Sequence, residues 1–274
     1  MGWGTVPRLS MVATKSRMSP AEEAEFWSKR GRKVGHTGWK QPVIYAFDQR
    51  QRLRLVERCL SGLGLPRGAR VLDFGCGTGD FSRLLLQQGH QVFGYDPYFE
   101  PTLSHPRFRY LKQVSELERL EPGLDLILSV TVLDHVLDDG ELAALLERFR
   151  HLASSRGTLV ALEYAPEREA PPPAPHQAYR SLASWRRLLN GAGWSLQQQQ
   201  SVAHPKEAPS LAFQRYHRSL VTRVLSRGVG APVIAPAVRW ALGLRAGLSL
   251  ARHASAPSGE SPLKLLLCRT GGEP

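Results

Sequence analysis

The 274-residue chain has little cysteine and no long apolar run. Its three cysteines, Cys59, Cys76 and Cys268, show none of the paired spacings that zinc sites and disulfide frameworks require. Because disulfides are rare in reducing compartments, we expect a cytoplasmic protein. No segment has the roughly 20 consecutive apolar residues of a membrane-spanning helix. The histidines have no ligand spacing, so we expect no bound metal.

Acidic residues are scarce relative to basic ones. Asp and Glu total 24 against 36 Lys and Arg, which gives a formal net charge of +12. This excess suits an anionic partner. The sequence lacks a recognisable RNA-binding module, an aromatic-and-basic strand pattern and the proline-tyrosine signature that grips a flipped base. We therefore expect no nucleic-acid partner, while peripheral contact with an anionic membrane through residues 211–251 is a less favoured alternative.

The first 20 residues contain no acidic residue. We predict that residues 1–20 are disordered, and an organelle transit peptide is the alternative. Residues 21–274 have the length of one elaborated α/β domain. Within it we expect residues 21–68 to form an N-terminal helical cap. Residues 203–257 are too many for an ordinary connection, and we predict a helical insertion that serves as a lid.

Apolar runs typical of buried strands alternate with helix-like segments along the chain. This alternation predicts an α/β fold with a Rossmann-like, doubly wound sheet. The seven predicted strands begin near Val71, Gln91, Phe108, Leu124, Thr158, Trp194 and Pro262.

The segment VLDFGCGTGDFSRLLLQQGHQVFGYD, from Val71 to Asp96, is the most informative one. It predicts a buried strand, a turn whose three glycines let a ligand lie against bare backbone, a helix, and a second strand that ends in a carboxylate. Ligands of open α/β sheets bind at the carboxyl ends of the strands, where an acidic residue can hold ribose hydroxyls. The segment therefore predicts a site for an adenosine-like nucleoside.

The glycine spacing separates two kinds of nucleoside. A dinucleotide site uses G-x-G-x-x-G and leaves a helix N-terminus open to pyrophosphate. This chain has G-x-G-x-G, and Asp73 lies directly before the turn. A carboxylate there would repel pyrophosphate but can accept hydrogen bonds from an ammonium group. The spacing therefore favours a nucleoside that carries an amino acid.

The motif VLDFGCGTG resembles the first motif of the class I S-adenosylmethionine-dependent methyltransferases. The resemblance covers Arg70 to Trp194 and, more loosely, the last strand. It implies a seven-stranded sheet, mostly parallel, whose last strand runs antiparallel. It also implies S-adenosylmethionine as the methyl donor. The residues that the resemblance places at the methionine portion or the ribose are Asp73, Gly75, Cys76, Gly77, Gly79, Asp96 and Pro97.

Two further parts of the cofactor site follow from the same resemblance. Many family members have an acidic residue after the third strand, which binds the adenine amino group. This chain has Gln113 and Val114 there, so a side-chain amide or a main-chain contact would have to substitute. Ser129 and Val130, at the end of the fourth strand, are expected to line the cofactor through their main chain.

Two regions offer candidate catalytic residues. The segment Leu133 to Val136 resembles the family's leucine-glutamate-histidine-valine motif, with a shorter acid at Asp134. His135 is a candidate general base, and the alternative is that it buttresses the cofactor pocket. The region from His36 to Asp48, interpreted as a loop, offers His36 and Tyr45 as alternative bases, and ordinary packing of that loop is the competing interpretation.

These features together predict an enzyme that methylates an oxygen or nitrogen of a small-molecule acceptor and releases S-adenosylhomocysteine. One alternative is a methyltransferase that acts on a membrane lipid or an anionic macromolecule. Another is a protein that binds the cofactor without catalysis. We expect a monomer or a homodimer.

Overall fold

The computed structural model describes residues 18–35, 42–171, 174–202 and 261–271. Two helices precede the sheet, and strands then alternate with helices. In chain order the elements are α1 Pro20–Val34, α2 Pro42–Ser61, β1 Arg70–Phe74, α3 Asp80–Gln87, β2 Gln91–Tyr95, β3 Phe108–Leu111, α4 Val114–Glu118, β4 Leu124–Val130, a 3₁₀ turn Leu133–His135, α5 Asp139–Leu152, β5 Ala153–Tyr164, α6 Leu182–Gly191, β6 Trp194–Ser201 and β7 Leu263–Thr270.

The described strands form one seven-stranded sheet in the order β3-β2-β1-β4-β5-β7-β6. Strands β1 to β5 pair in parallel, whereas β7 runs antiparallel to both β5 and β6. The predicted sheet and its antiparallel last strand are confirmed. The strand order changes direction between β1 and β4, because β2 and β3 lie on one side of β1 whereas β4 and the later strands lie on the other. Ligands of doubly wound sheets bind at such a switch point.

Apolar side chains fill the space on both faces of the sheet. Leu126, Ile127 and Leu128 of β4 are all fully buried although neighbouring side chains point to opposite faces. Ile127 packs with α5 and α6, and its two neighbours pack with α2 and α3. Burial on both faces explains why the strands appear in the sequence as continuous apolar runs.

Helix α1 has a complete N-terminal cap. The Ser19 hydroxyl accepts a hydrogen bond from the Glu22 N–H, and the Glu22 carboxylate accepts one from the Ser19 N–H. The helix ends at Gly35, whose φ of 74° lies in the left-handed region. Most of the predicted disordered segment lies outside the described residues, but Ser19 and Pro20 belong to this ordered helix start.

Helix α2 begins at Pro42 and not near Asp48 as the sequence pattern predicts. Proline favours the first helical position because its fixed φ suits the helix and its missing N–H is not needed there. Tyr45 therefore lies on a helix and not in a loop, which corrects the predicted His36–Asp48 loop. His36 itself lies outside the described residues, as does the predicted insertion at 203–257.

Strand β5 also begins earlier than predicted, at Ala153 in place of Thr158. Its pairing with β4 shifts register between Leu124 and Leu126, so the first residues of β5 form a bulged extension. Helices long and apolar enough to cross a membrane are absent from the described ranges.

Candidate functional site

A cavity of about 670 Å³ opens at the carboxyl ends of β1, β2 and β4. Its walls come from α1, α2, the turns after these three strands and the start of α5. This volume lies within the range of small-molecule sites in proteins. The position agrees with the ligand site that the switch point predicts.

The turn after β1 brings bare backbone to the cavity. The N–H groups of Gly75 and Cys76 donate to the Tyr95 carbonyl at 2.7 and 3.0 Å, which ties the turn to the end of β2. Gly75 has a φ of 74°, and a Cβ atom there would lie 2.3 Å from a methyl group of Val132. Glycine is therefore required both by the backbone and by the packing. Burial raises the pKa of the Cys76 thiol, so this side chain is not poised as a nucleophile.

Asp96 lies at the carboxyl end of β2 with its carboxylate on the cavity wall. One oxygen, Oδ2, accepts a hydrogen bond from the Gly77 N–H at 3.0 Å. The other, Oδ1, accepts from the N–H groups of Tyr98 and Phe99, each at 2.9 Å. Burial raises the pKa of Asp96 above its ordinary value, against the lowering effect of these three bonds. The carboxylate is thus held rigidly between the two turns.

Helix α2 presents a polar stripe to the cavity. Tyr45, Gln49 and Arg52 follow helical spacing and all line it. The Tyr45 hydroxyl and the Gln49 amide both donate to Oδ2 of Asp80, at 3.4 and 3.2 Å. Burial raises the pKa of Tyr45, and the nearby charge of Asp80 raises it further. At neutral pH Tyr45 is therefore a hydrogen-bond donor, which does not suit the predicted role of a base.

Arg52 is the cation of this stripe, and its side chain is 14% exposed. Its guanidinium forms an ion pair with Asp48 at 3.0 Å and donates to the Thr131 hydroxyl at 2.8 Å. Its Nε atom has no hydrogen-bond partner among the described residues. Burial lowers the pKa of Arg52, but the charge of Asp48, its hydrogen bond to Arg52 and the nearby Tyr164 and Asp134 together outweigh that effect and leave the pKa raised. Arg52 therefore remains charged inside the cavity wall.

His135 lies on the cavity wall in the 3₁₀ turn after β4. Its Nδ1 atom is 2.6 Å from the His176 carbonyl. Because a carbonyl can only accept, we assign the proton of neutral His135 to Nδ1 and the lone pair to Nε2. Nε2 lies 3.6 Å from Oδ1 of Asp134. The ring also contacts Trp27 of α1 edge-on, with 4.7 Å between the centroids. This geometry suits a proton acceptor and a pocket wall equally.

Asp134 is fully buried and holds the segment that orients His135. Its Oδ2 atom accepts a hydrogen bond from the Gln177 amide at 2.8 Å, and its carbonyl accepts one from the Ala178 N–H at 2.7 Å. The His176 carbonyl that receives the imidazole N–H belongs to the same segment. The side chain therefore organises the neighbourhood of the imidazole and does not itself reach the cavity.

The cavity brings together most, but not all, of the sequence-predicted site residues. Those that line it are Tyr45, Gly75, Cys76, Gly77, Asp96, Pro97, Val130 and His135. Asp73 does not belong to the lining. Its buried carboxylate accepts a hydrogen bond from the Ser82 hydroxyl at 2.6 Å, and burial raises its pKa to about 7. Its predicted contact with the methionine portion stays a prediction.

Four other predicted cofactor residues also lie away from the lining. Gly79 begins α3. Gln113 caps the N-terminus of α4, and the Val114 side chain next to it is 59% exposed. Ser129 is fully buried and donates its hydroxyl to Glu163. The cavity therefore offers no support for these four assignments, which stay predictions.

The sequence interpretation missed several cavity residues. Gln49 and Arg52 follow Tyr45 at helical spacing, and a helix placed from Pro42 would have grouped the three. Trp27 reaches the cavity from a helix far away in the sequence, and no local pattern indicates that contact. Groups of three or more His, Cys, Asp or Glu side chains able to hold a metal are absent from the part of the chain that the structure describes.

Comparison with known proteins identifies relatives of this chain. Residues 46–199, more than half of the chain, match the family described as "Methyltransferase domain". A ubiquinone biosynthesis O-methyltransferase of Rhodopseudomonas palustris is 30% identical over 162 residues, which cover 53% of this chain and 62% of that protein. The enzyme of the same name from Bradyrhizobium diazoefficiens is 29% identical over 147 residues, covering 50% and 55%. The chain thus spans somewhat more than half the length of these relatives.

Solved structures share the fold at lower identity. The 1,6-didemethyltoxoflavin-N1-methyltransferase of Burkholderia thailandensis, solved with its acceptor and S-adenosylhomocysteine, is 16% identical with a TM-score of 0.53, covering 94% of this chain and 93% of that one. The cyclopropane synthase MmaA2 of Mycobacterium tuberculosis is also 16% identical, with a TM-score of 0.52 and coverage of 79% and 83%. At this level of identity the likeness concerns the fold.

Proposed function

Because the chain belongs to the class I methyltransferase family, we propose that it transfers a methyl group from S-adenosylmethionine to an oxygen or nitrogen of a small-molecule acceptor. One observation carries the proposal. The glycine turn after β1, the Asp96 carboxylate after β2 and the His135 imidazole after β4 line a single cavity. The first two suit a nucleoside, and we assign the third to the acceptor.

The residues after β1 and β2 fit the donor's nucleoside. A side chain at Gly75 would clash with Val132, so the turn is kept bare where a ligand must approach closely. A carboxylate has about four acceptor positions. Main-chain N–H groups use three of those of Asp96. The free position, on Oδ2, is the one that would accept a ribose hydroxyl.

Arg52 fits the charged end of the donor. Its guanidinium lies at the cavity wall and stays charged. A guanidinium binds carboxylates with charge-assisted hydrogen bonds. We therefore assign to Arg52 the carboxylate of the methionine portion. Gln49, one turn earlier on the same face of α2, would contact the same end.

When bound, the donor supplies a methyl group already activated on a sulfonium. The chain's contribution is then to hold the acceptor atom in line at about 3 Å and to exclude water. Trp27, Val132, Val136 and Leu137 provide the apolar part of the wall. For a hydroxyl acceptor, Nε2 of His135 would take the proton, because Nδ1 is already committed to the His176 carbonyl.

The N-terminal helical cap that the sequence predicts is part of this proposal. Residues 21–68 would cover the cavity, because Trp27 of α1 and three residues of α2 contribute to its wall. The cavity between this cap and the sheet has the size of a small-molecule site and not of a groove for a polymer. The names of the curated relatives indicate O-methylation, so hydroxyl acceptors are tested first.

A screen tests the proposed activity. The protein is incubated with methyl-labelled S-adenosylmethionine and a panel of phenols, catechols and primary amines, and both methylated product and S-adenosylhomocysteine are measured. We expect product with at least one hydroxyl or amine acceptor, in amounts equal to the S-adenosylhomocysteine formed, and about tenfold less with Asp96→Ala at a donor concentration below the Kd of that variant. Equal label transfer by wild type and Asp96→Ala would contradict the proposal. A Glu118→Gln variant, altered at an exposed carboxylate of α4, serves as control.

A further inference from the structure

Glu163, near the carboxyl end of β5, is fully buried and does not line the cavity. Its carboxylate nevertheless connects β5 with the turn that follows β4. Oε1 accepts hydrogen bonds from the Ser129 hydroxyl at 3.1 Å and from the N–H groups of Val132 and Leu133 at 3.1 and 3.0 Å. Oε2 accepts one from the Asp134 N–H at 3.2 Å. One carboxylate thus binds three consecutive main-chain N–H groups.

These bonds replace a helix cap that the local sequence does not provide. The 3₁₀ turn Leu133–His135 begins after Val132, whose side chain has no oxygen to accept from the first N–H groups. A buried N–H group without a partner is unfavourable. Glu163 supplies the missing acceptor from a neighbouring strand, so the 3₁₀ turn depends on a residue 30 positions away in sequence.

The backbone before this turn adopts an uncommon conformation. Thr131 has a φ of 55°, and within the described ranges no other non-glycine residue has a positive φ. Such a conformation persists where the surroundings over-determine it. Here the Thr131 N–H donates to the Leu162 carbonyl at 2.7 Å, and its hydroxyl accepts from Arg52 at 2.8 Å. Glu163 fixes the residues that follow directly.

The turn determines the acceptor side of the site. It directs Val132 against Gly75 of the nucleoside turn, and it places His135 on the cavity wall. We propose that Glu163 is a positioning residue: its carboxylate fixes the 131–135 turn and thereby presents Val132 and His135 to the cavity for methyl transfer. The ordering of the turn stands on the hydrogen bonds alone, whereas the effect on methyl transfer rests on the proposed function.

Stability alone gives no reason for a carboxylate at this position. Burial and, to a smaller extent, the charge of Asp134 raise the pKa of Glu163 to about 8. Desolvation of this carboxyl group is costly, and that cost offsets part of what its hydrogen bonds contribute to stability. A role in positioning therefore makes a distinct prediction: local order at the turn should be lost even where global stability is kept.

Amide hydrogen exchange tests the ordering of the turn on Glu163→Leu and Glu163→Gln, with Glu118→Gln as control. In Glu163→Leu we expect exchange at Val132, Leu133 and Asp134 to accelerate about tenfold or more, with β1 and β2 unchanged. Glu163→Gln keeps one acceptor oxygen and should show a smaller effect. Unchanged protection at these three amides would overturn the proposal. So would equal acceleration throughout the chain, because that is general destabilisation.

Kinetics on the same variants tests the effect on transfer, with catechol as the first probe acceptor and the best acceptor of the screen as the second. For Glu163→Leu we expect kcat to fall about tenfold or more, with less loss in Glu163→Gln. The Kd for S-adenosylhomocysteine should stay within about threefold, since Gly77 and Asp96 bind each other without Glu163. An unchanged kcat would overturn the positioning role. A wild type that binds no S-adenosylhomocysteine would contradict the proposed function instead, and exchange would still decide whether Glu163 orders the turn.

Discussion

The guanidinium of Arg52 donates a hydrogen bond to the Thr131 hydroxyl at 2.8 Å and joins α2 to the turn after β4. The two residues are 79 positions apart, and both line the cavity. The contact connects the helical cap with the part of the sheet that carries His135. It also holds Thr131, which is the only non-glycine residue with a positive φ in the described ranges.

Replacement of Arg52 should affect stability and ligand binding separately. Arg52→Met removes the ion pair with Asp48 and should destabilise the protein by about 3 kcal/mol, because the charge of the buried Asp48 carboxylate is then less well compensated. The double variant Arg52→Met/Asp48→Asn should recover much of that loss. In both variants, binding of S-adenosylhomocysteine should stay at least about tenfold weaker than in wild type. Urea unfolding and calorimetry measure the two effects, and wild-type affinity in the double variant would contradict the role of Arg52.

A side chain at Gly75 should be poorly tolerated. Gly75→Ala combines a left-handed φ of 74° with a Cβ atom 2.3 Å from Val132. We expect a loss of about 2 kcal/mol or more in the free energy of unfolding. Gly75→Ala/Val132→Ala removes the clash but not the backbone strain, so it should recover only part. Gly191→Ala is the matched control, since a Cβ there meets no atom within 4 Å. A Gly75→Ala variant as stable as wild type would exclude the described turn.

The sheet could be predicted from the sequence because each central strand is buried on both faces. Ile127 and its neighbours form a continuous apolar run for that reason. The start of α2 could not be placed, because Tyr45, Gln49 and Arg52 form a polar stripe toward a cavity in place of an apolar stripe toward the core. Hydrophobic periodicity does not detect such a helix face.

The site was predictable where neighbouring residues in the sequence determine it. The glycine turn and Asp96 belong to one strand-turn-helix-strand unit, and both line the cavity. Contacts between distant segments, such as Trp27 with His135 or Glu163 with Leu133, have no local pattern that would reveal them. The assignments to Gln113 and Val114 came from the family's pattern, and in this chain the two residues begin α4 away from the cavity.

Asp73 should make stability depend on pH. Its pKa is raised from 3.8 to about 7, mainly by burial, so the folded state binds its proton more tightly than the unfolded state does. The resulting stabilisation is fully present below pH 3.8 and is lost as the pH rises through about 7. Urea unfolding between pH 5 and 8 should show a smaller decline in Asp73→Asn than in wild type. The decline in stability that remains in Asp73→Asn toward pH 8 is expected from Glu163, because the pKa of Glu163 is raised to about 8.

The exposed Glu118 of α4 provides the control for this pH dependence. Glu118→Gln removes an exposed carboxylate, and it should keep the wild-type decline. Identical pH dependence in wild type and Asp73→Asn would contradict the raised pKa of Asp73.

Substitution of His135 distinguishes a proton acceptor from a pocket wall. For a hydroxyl acceptor, His135→Gln should lower kcat about a hundredfold, because proton removal accompanies transfer. The Kd for S-adenosylhomocysteine should change by less than about threefold. Stopped-assay kinetics and calorimetry on the same preparation separate the two quantities. A loss confined to affinity for S-adenosylhomocysteine would assign His135 to the pocket wall.

Calorimetric titration of wild type and Asp96→Ala with S-adenosylhomocysteine, S-adenosylmethionine and NAD tests the central claim most directly. The account predicts that wild type binds both methionine-derived ligands and shows no comparable heat with NAD. Asp96→Ala should bind the two ligands at least about tenfold more weakly, through loss of the carboxylate assigned to the ribose. Failure of wild type to bind either methionine-derived ligand, or tight binding of NAD, would contradict the account.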